Sequence, residues 1–206
     1  MNKFMKLIGI KARKASEIKI NSKIKNKVLN DYSKLIDKEK NLIIKENIKD
    51  IKFARTRGIE QNLINRLHIN NEKLAEIIKS IKKIAKLKDP VNIVLKNWKR
   101  PNGLNIKRVT VPIGVIGVIY ESRPNVTSDV ASLCFKSGNA VVLKGGSEAI
   151  NTNRILANLF KKALKKNKIN ENFIQFINSR ERKIVDIILS KMSKYIDVII
   201  PRGGKN

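Results

Sequence analysis

The chain has 206 residues, room for one ample core or two small domains, so neither disulfides nor a metal are required to hold it together, and its single cysteine, Cys134, points to a reducing compartment. Its longest apolar stretch, 109–120, is broken by Thr110, Pro112 and two glycines, short of the roughly 20 residues of a membrane span, and the N-terminus carries no secretory signal pattern, so a soluble cytoplasmic protein is expected. The formal charge of +28 suggests a polyanion partner, but 34 lysines against 11 arginines, spread along the chain with few aromatic residues, read as compositional drift and argue against specific nucleic-acid binding.

Over 4–87 apolar residues recur at three and four positions, as in Ile24, Val28 and Leu35 or Leu74, Ile77, Ile78, Ile81 and Ile84, which predicts four or five amphipathic helices. Ser22 and Asn71 are the expected N-caps. Asp89-Pro90 ends the last helix, because the residue before proline avoids helical angles. Between 91 and 111 two extended runs, 93–95 and 104–109, flank Arg100-Pro101-Asn102-Gly103, a hairpin signal.

From 113 onward strand and helix alternate. A strand over 114–120 leads to a helix over 126–136, broken at Ser137-Gly138-Asn139, and then to a strand over 140–144. Gly145-Gly146-Ser147 opens a helix over 148–166, whose end at Lys161 to Lys168 reads as a solvated lysine cluster. A strand over 173–177, a helix over 180–192 and a strand over 197–200 follow, ending in Pro201-Arg202-Gly203-Gly204. The expected class is α/β: a helical region 1–90, a hairpin 91–111, and a Rossmann-like parallel sheet in 112–206 that takes its ligand at the strands' carboxyl ends. The last turn stands where another helix is due, so the sheet is expected to be incomplete.

Three strand ends hold the candidate chemistry, and each also has a purely structural reading. The first offers Arg123 and Asn125, the latter equally an N-cap. At the second, Lys144 precedes Gly145, Gly146 and Ser147, whose backbone amides would lie free at a helix start and suit an anion or nucleotide, although the spacing matches neither GxGxxG nor the P-loop. The third, Arg202-Gly203-Gly204, could cradle phosphate or simply turn a corner. His68 has no partner at metal spacing, and Cys134 lies on an apolar helix face that reads as core. No Ser-His-Asp or paired-carboxylate set can be assembled.

The segment VPIGVIGVIYESRPNVT over 111–127, its continuation over 129–148, FARTRG over 53–58, Asp89-Pro90 and KYIDVIIPRGG over 194–204 together resemble the gamma-glutamyl phosphate reductases (glutamate-5-semialdehyde dehydrogenases) of the aldehyde dehydrogenase superfamily. The resemblance runs in order along nearly all of the chain. It implies an aldehyde dehydrogenase-like fold and reduction of L-glutamyl 5-phosphate to glutamate 5-semialdehyde with NADPH in proline biosynthesis. By the same resemblance Asn125 supports the developing oxyanion. Lys144 reaches the adenosine ribose or its 2′-phosphate, with Gly145, Gly146 and Ser147 beside the cofactor's path. Gly203 and Gly204 form the turn near the pyrophosphate, with Arg202 as a further contact, and Arg123 meets the acyl phosphate.

Members of the family are longer, and their nucleophilic cysteine falls beyond residue 206; Cys134 does not match it. The chain is therefore expected to correspond to the N-terminal part, inactive alone because covalent catalysis needs that thiolate. It is expected to be either a degraded or frameshifted gene product or half of a split enzyme, whose partner is then a second polypeptide carrying the remaining half. The alternative is a noncatalytic remnant acting as a partner subunit or nucleotide-binding module.

Overall fold

The computed structural model describes residues 3–121 and 123–203. Five helices open the chain: α1 (Lys3–Ser16), α2 (Ser22–Lys38), α3 (Lys40–Thr56), α4 (Gln61–Leu67) and α5 (Asn71–Lys86). Two of them are capped one residue earlier than expected. Asn21 Oδ1 accepts from the Ile24 amide at 2.9 Å and Asn70 Oδ1 from the Lys73 amide at 2.9 Å, so Ser22 and Asn71 are the first helical residues instead. Each site offers two adjacent residues able to cap, and hydrophobic periodicity does not choose between them.

Asp89 does more than stop α5. Its carboxylate accepts two bonds from Lys25 Nζ, at 2.9 and 3.1 Å, and so partners an ammonium whose side chain is 2% exposed. After it, β1 (Val94–Lys99) and β2 (Asn105–Val109) pair antiparallel. The turn closes with Gly103 at φ +86°, an angle that favours glycine, and its amide donates to Arg100 O at 2.9 Å. Leu95, Trp98, Leu104 and Val109 on this hairpin are exposed.

Four parallel strands follow, β3 (Val115–Tyr120), β4 (Ala140–Lys144), β5 (Ile174–Phe176) and β6 (Val198–Arg202), in the order β5-β4-β3-β6. They are connected through α6 (Pro124–Lys136), α7 (Ile150–Lys166) and α8 (Lys183–Lys191). The expected elements are all present, β4 with the expected ends and the others with shifted ones. Helix α6 starts two residues early because Pro124 suits the first helical position. A 3-10 turn over Ser147–Ala149 delays α7, β5 is confined to three residues, α8 is shorter at both ends, and β6 runs on to Arg202.

All five β4 side chains are buried, as befits a strand covered on both faces, and both α6 and α1 pack against it. Buried residues of α1, α2 and α5 join those of the sheet and of α6 to α8 in one continuous core. The lysine-rich end of α7 is largely exposed as expected, with Lys166 paired to Asp31 at 2.8 Å and Lys165 to Glu171 at 3.0 Å.

One ion pair fastens the first helix to the sheet. Arg13 grips Asp197 with both terminal nitrogens, at 2.7 and 3.0 Å, while Asp197 Oδ2 accepts from the Val115 amide at 2.7 Å. Burial raises the Asp197 carboxyl, but the bonds from Arg13 and Val115 outweigh it and hold the group below the usual carboxylate range. A folded-state value below the unfolded one stabilises at neutral pH, and that stabilisation is lost as pH falls from about 4 through the folded value. Asp197→Asn should therefore lower the urea midpoint at pH 7 and make the midpoint fall less between about pH 4 and 2. Identical acid profiles for parent and variant would show that the contact has no such role.

Candidate active site

Because β3 lies between β4 and β6, the strand order sets the three candidate strand ends side by side. The ends of β3 and β6 enclose a cleft of about 340 Å³ bordered by Tyr120, Glu121, Arg123, Arg202 and Gly203, with Arg66 reaching in from α4. Tyr120 forms a 2.6 Å hydrogen bond with Thr127 Oγ1, which donates to Asn153 Oδ1 at 2.9 Å, so the floor of the cleft is tied to α6 and α7. Gly203 faces Glu121 so closely that a Cβ there would stand 2.7 Å from its Oε1. Gly204 lies outside the described residues.

Asn125 opens on a neighbouring cleft of about 260 Å³, shared with His68, Glu76 and again Arg66. It is not the N-cap of α6, because Pro124 already occupies the helix and Arg123 holds the cap position without a side-chain cap bond. Its exposed amide donates to Asp129 Oδ2 at 3.3 Å, and Asp129 in turn accepts from Ser80 Oγ at 2.8 Å. This leaves a neutral donor in the first turn of a helix, at its positive end, held by a carboxylate anchored to α5.

Lys144, Gly145, Gly146 and Ser147 border neither cleft. Lys144 is 5% exposed and its ammonium donates to Gly145 O at 2.8 Å; burial lowers its pKa, opposed by the nearby Glu148 carboxylate. A side chain at Gly145 would overlap Asn153 Nδ2, a buried amide nitrogen with no partner, and come within 3.1 Å of the Tyr120 hydroxyl. At Gly146 it would overlap the Glu148 carboxylate. Ser147 O accepts from Arg180 Nε at 3.3 Å, and the Arg180 guanidinium stacks 4.3 Å from the Phe53 ring.

The helix-start amides beyond this turn are not all free. Asp50, fully buried on α3, accepts from the amides of Asn151 and Thr152 at 3.1 and 2.7 Å and from their side chains at 2.8 and 2.7 Å. A carboxylate already sits on the positive end of α7, so an anion cannot use those two amides. Positive charge beside a glycine is found instead at the neighbouring strand ends, where Arg123, Arg202 and Gly203 border one cleft.

Cys134 is buried in the core and its thiol is pushed up to about 12 by burial, so it supplies no thiolate at neutral pH. His68 is exposed at the end of α4. Among the described residues no three His, Cys, Asp or Glu side chains converge as a metal site, and no helix is long and apolar enough to cross a membrane. Sequence reading missed Arg66, Asp50 and Asp129. For Arg66 one signal was available, an arginine in a chain whose basic residues are overwhelmingly lysine.

No protein-family model matches the chain. Gamma-glutamyl phosphate reductase of Aquifex aeolicus (strain VF5) is 46% identical over 187 residues, 91% of this chain and 43% of that protein. The crystal structure of gamma-glutamyl phosphate reductase from Thermotoga maritima superposes with a TM-score of 0.94 at 37% identity, over 98% of this chain and 49% of that one. A propionaldehyde dehydrogenase of Rhodopseudomonas palustris, at 13% identity, shares the fold with a TM-score of 0.67 over 97% of this chain and 42% of that one. The chain spans about half the length of the curated relatives it matches.

Proposed function

We propose that this chain, which belongs over the length it spans to the gamma-glutamyl phosphate reductase family, supplies the oxyanion donor and part of the cofactor site for NADPH-dependent reduction of L-glutamyl 5-phosphate to L-glutamate 5-semialdehyde and phosphate. The observation that carries this reading is the meeting of an exposed first-turn amide, Asn125, with an arginine-lined cleft at the carboxyl ends of β3 and β6. Asn125 donates to the substrate's carbonyl oxygen as negative charge develops on it. Arg123 pairs with the phosphate, where a planar guanidinium can make two parallel bonds.

Arg202, Gly203 and Gly204 serve the cofactor's diphosphate, and Lys144 turns from Gly145 O toward the ribose or its 2′-phosphate, with Gly145, Gly146 and Ser147 along the path. NADPH, when bound, supplies the hydride. Cys134 is not the attacking thiolate, so the nucleophile belongs to the part of the family's length that these residues do not span, which a second polypeptide supplies in the split-enzyme reading. The chain alone is then inactive.

The test combines the purified chain with the separately produced C-terminal half of the Aquifex aeolicus relative. Turnover is followed in reverse, from semialdehyde, phosphate and NADP⁺, because acyl phosphates hydrolyse readily. Turnover is expected only for the pair, and Lys144→Ala should weaken NADPH binding by about tenfold. Full activity of the chain by itself would overturn the two-part reading. NADPH binding without turnover in any combination would favour the noncatalytic nucleotide-binding module.

A further inference from the structure

Among the described residues Arg66 alone borders both clefts, the one holding Arg123 and Arg202 and the one holding Asn125. It comes from α4, which a small cluster of Ile51, Ala54, Ile64, Leu67 and Ala149 packs against α3 and the 3-10 turn before α7. Three of the chain's 11 arginines thus meet at one cleft, although lysine outnumbers arginine roughly threefold along the chain. The lysine surplus explains ordinary surface charge and does not account for this convergence. None of the three guanidinium groups has a hydrogen-bond or ion-pair partner among the described residues, and Glu121 is the one carboxylate bordering the cleft. Three guanidinium groups against one cleft carboxylate leave an excess of positive charge, which an oxyanion between them offsets.

We infer that Arg66, Arg123 and Arg202 form a phosphate clamp in which Arg66 is a positioning and binding residue, holding phosphate oxygens at the boundary between the two clefts. The inference rests on the proposed reductase reading for the identity of its ligand, which is the phosphate of an acyl phosphate or the diphosphate of a dinucleotide. The fork geometry is the point: an ammonium carries the same charge without the paired donors.

The experiment is calorimetric titration of the chain with inorganic phosphate, acetyl phosphate and NADPH, in the parent, Arg66→Gln, Arg66→Lys, Arg123→Gln and the charge control Lys11→Gln on α1. Arg66 is exposed, so folding is checked simply by the urea midpoint. Arg66→Gln is expected to weaken phosphate binding by about tenfold, with Arg66→Lys intermediate and Lys11→Gln within about twofold of the parent. Loss confined to inorganic and acetyl phosphate assigns the clamp to the substrate; loss confined to NADPH assigns it to the dinucleotide. Unchanged binding of all three probes to Arg66→Gln overturns the clamp and leaves the reductase reading standing. Arg66-dependent binding of inorganic phosphate alone keeps the clamp and removes the reductase reading. Should Arg66→Gln fail to fold, Arg123→Gln must show the same loss of inorganic phosphate, or the clamp is wrong.

Discussion

Asp50→Ala is expected to lower unfolding stability by about 3 kcal/mol, read as a fall in the urea midpoint with an unchanged slope. Asp50 has no solvent exposure and accepts four hydrogen bonds from Asn151 and Thr152 at the start of α7. Burial raises its carboxyl, and the four donors only partly offset that effect, so the structure tolerates an awkward charge for the sake of the bonds it accepts. Truncation leaves two backbone amides, that of Thr152 buried and that of Asn151 part-buried, without acceptors and removes a capping carboxylate from a 17-residue helix that packs on α2, α3 and α6. Asp50→Asn retains one acceptor oxygen but turns its NH₂ toward N–H donors, so a loss of about 2 kcal/mol is expected. A midpoint shift equivalent to under about 0.5 kcal/mol for the alanine variant would show that water replaces the carboxylate without penalty.

The second large effect follows from the proposed reductase reading and is measured with the chain combined with the C-terminal half of the Aquifex aeolicus relative. Asn125→Ala should reduce kcat by about 10²- to 10³-fold with KM nearly unchanged, because an oxyanion donor acts on charge that develops only in the transition state. Asn125→Asp should be worse, since it places negative charge where more is about to form. Asn125 is exposed and its one bond to Asp129 is long at 3.3 Å, so neither change should alter stability much. A rise in KM at constant kcat would assign Asn125 to ground-state binding and remove its proposed role.

Much of the architecture was legible from local pattern. The three- and four-residue recurrence marks the N-terminal helices other than the short α4, Pro-Asn-Gly marks the hairpin turn, and alternation of apolar runs with helical segments marks the parallel sheet. Element ends were less legible where neighbouring residues compete for one role, as at Asn21 and Ser22 or Asn70 and Asn71. The strand-end residues Arg123, Asn125, Arg202 and Gly203 stood out because turn chemistry follows an apolar run, and the sheet order then brings them to one edge.

Partners distant in the chain are another matter. Arg13 and Asp197 are 184 positions apart, and Asp50 meets Asn151 and Thr152 across about 100; nothing in periodicity or spacing joins them, because helix packing alone decides which faces meet. The same holds for Arg66, an unremarked helical residue until α4 packs against the turn before α7 and carries it over the cleft. Local backbone preference and hydrophobic period are properties of neighbouring residues, so they can be read along the chain. Which carboxylate caps α7, whether the amides beyond Gly146 remain open to an anion, and which guanidinium groups converge on one cleft depend on three-dimensional packing, and only the tertiary structure settles them.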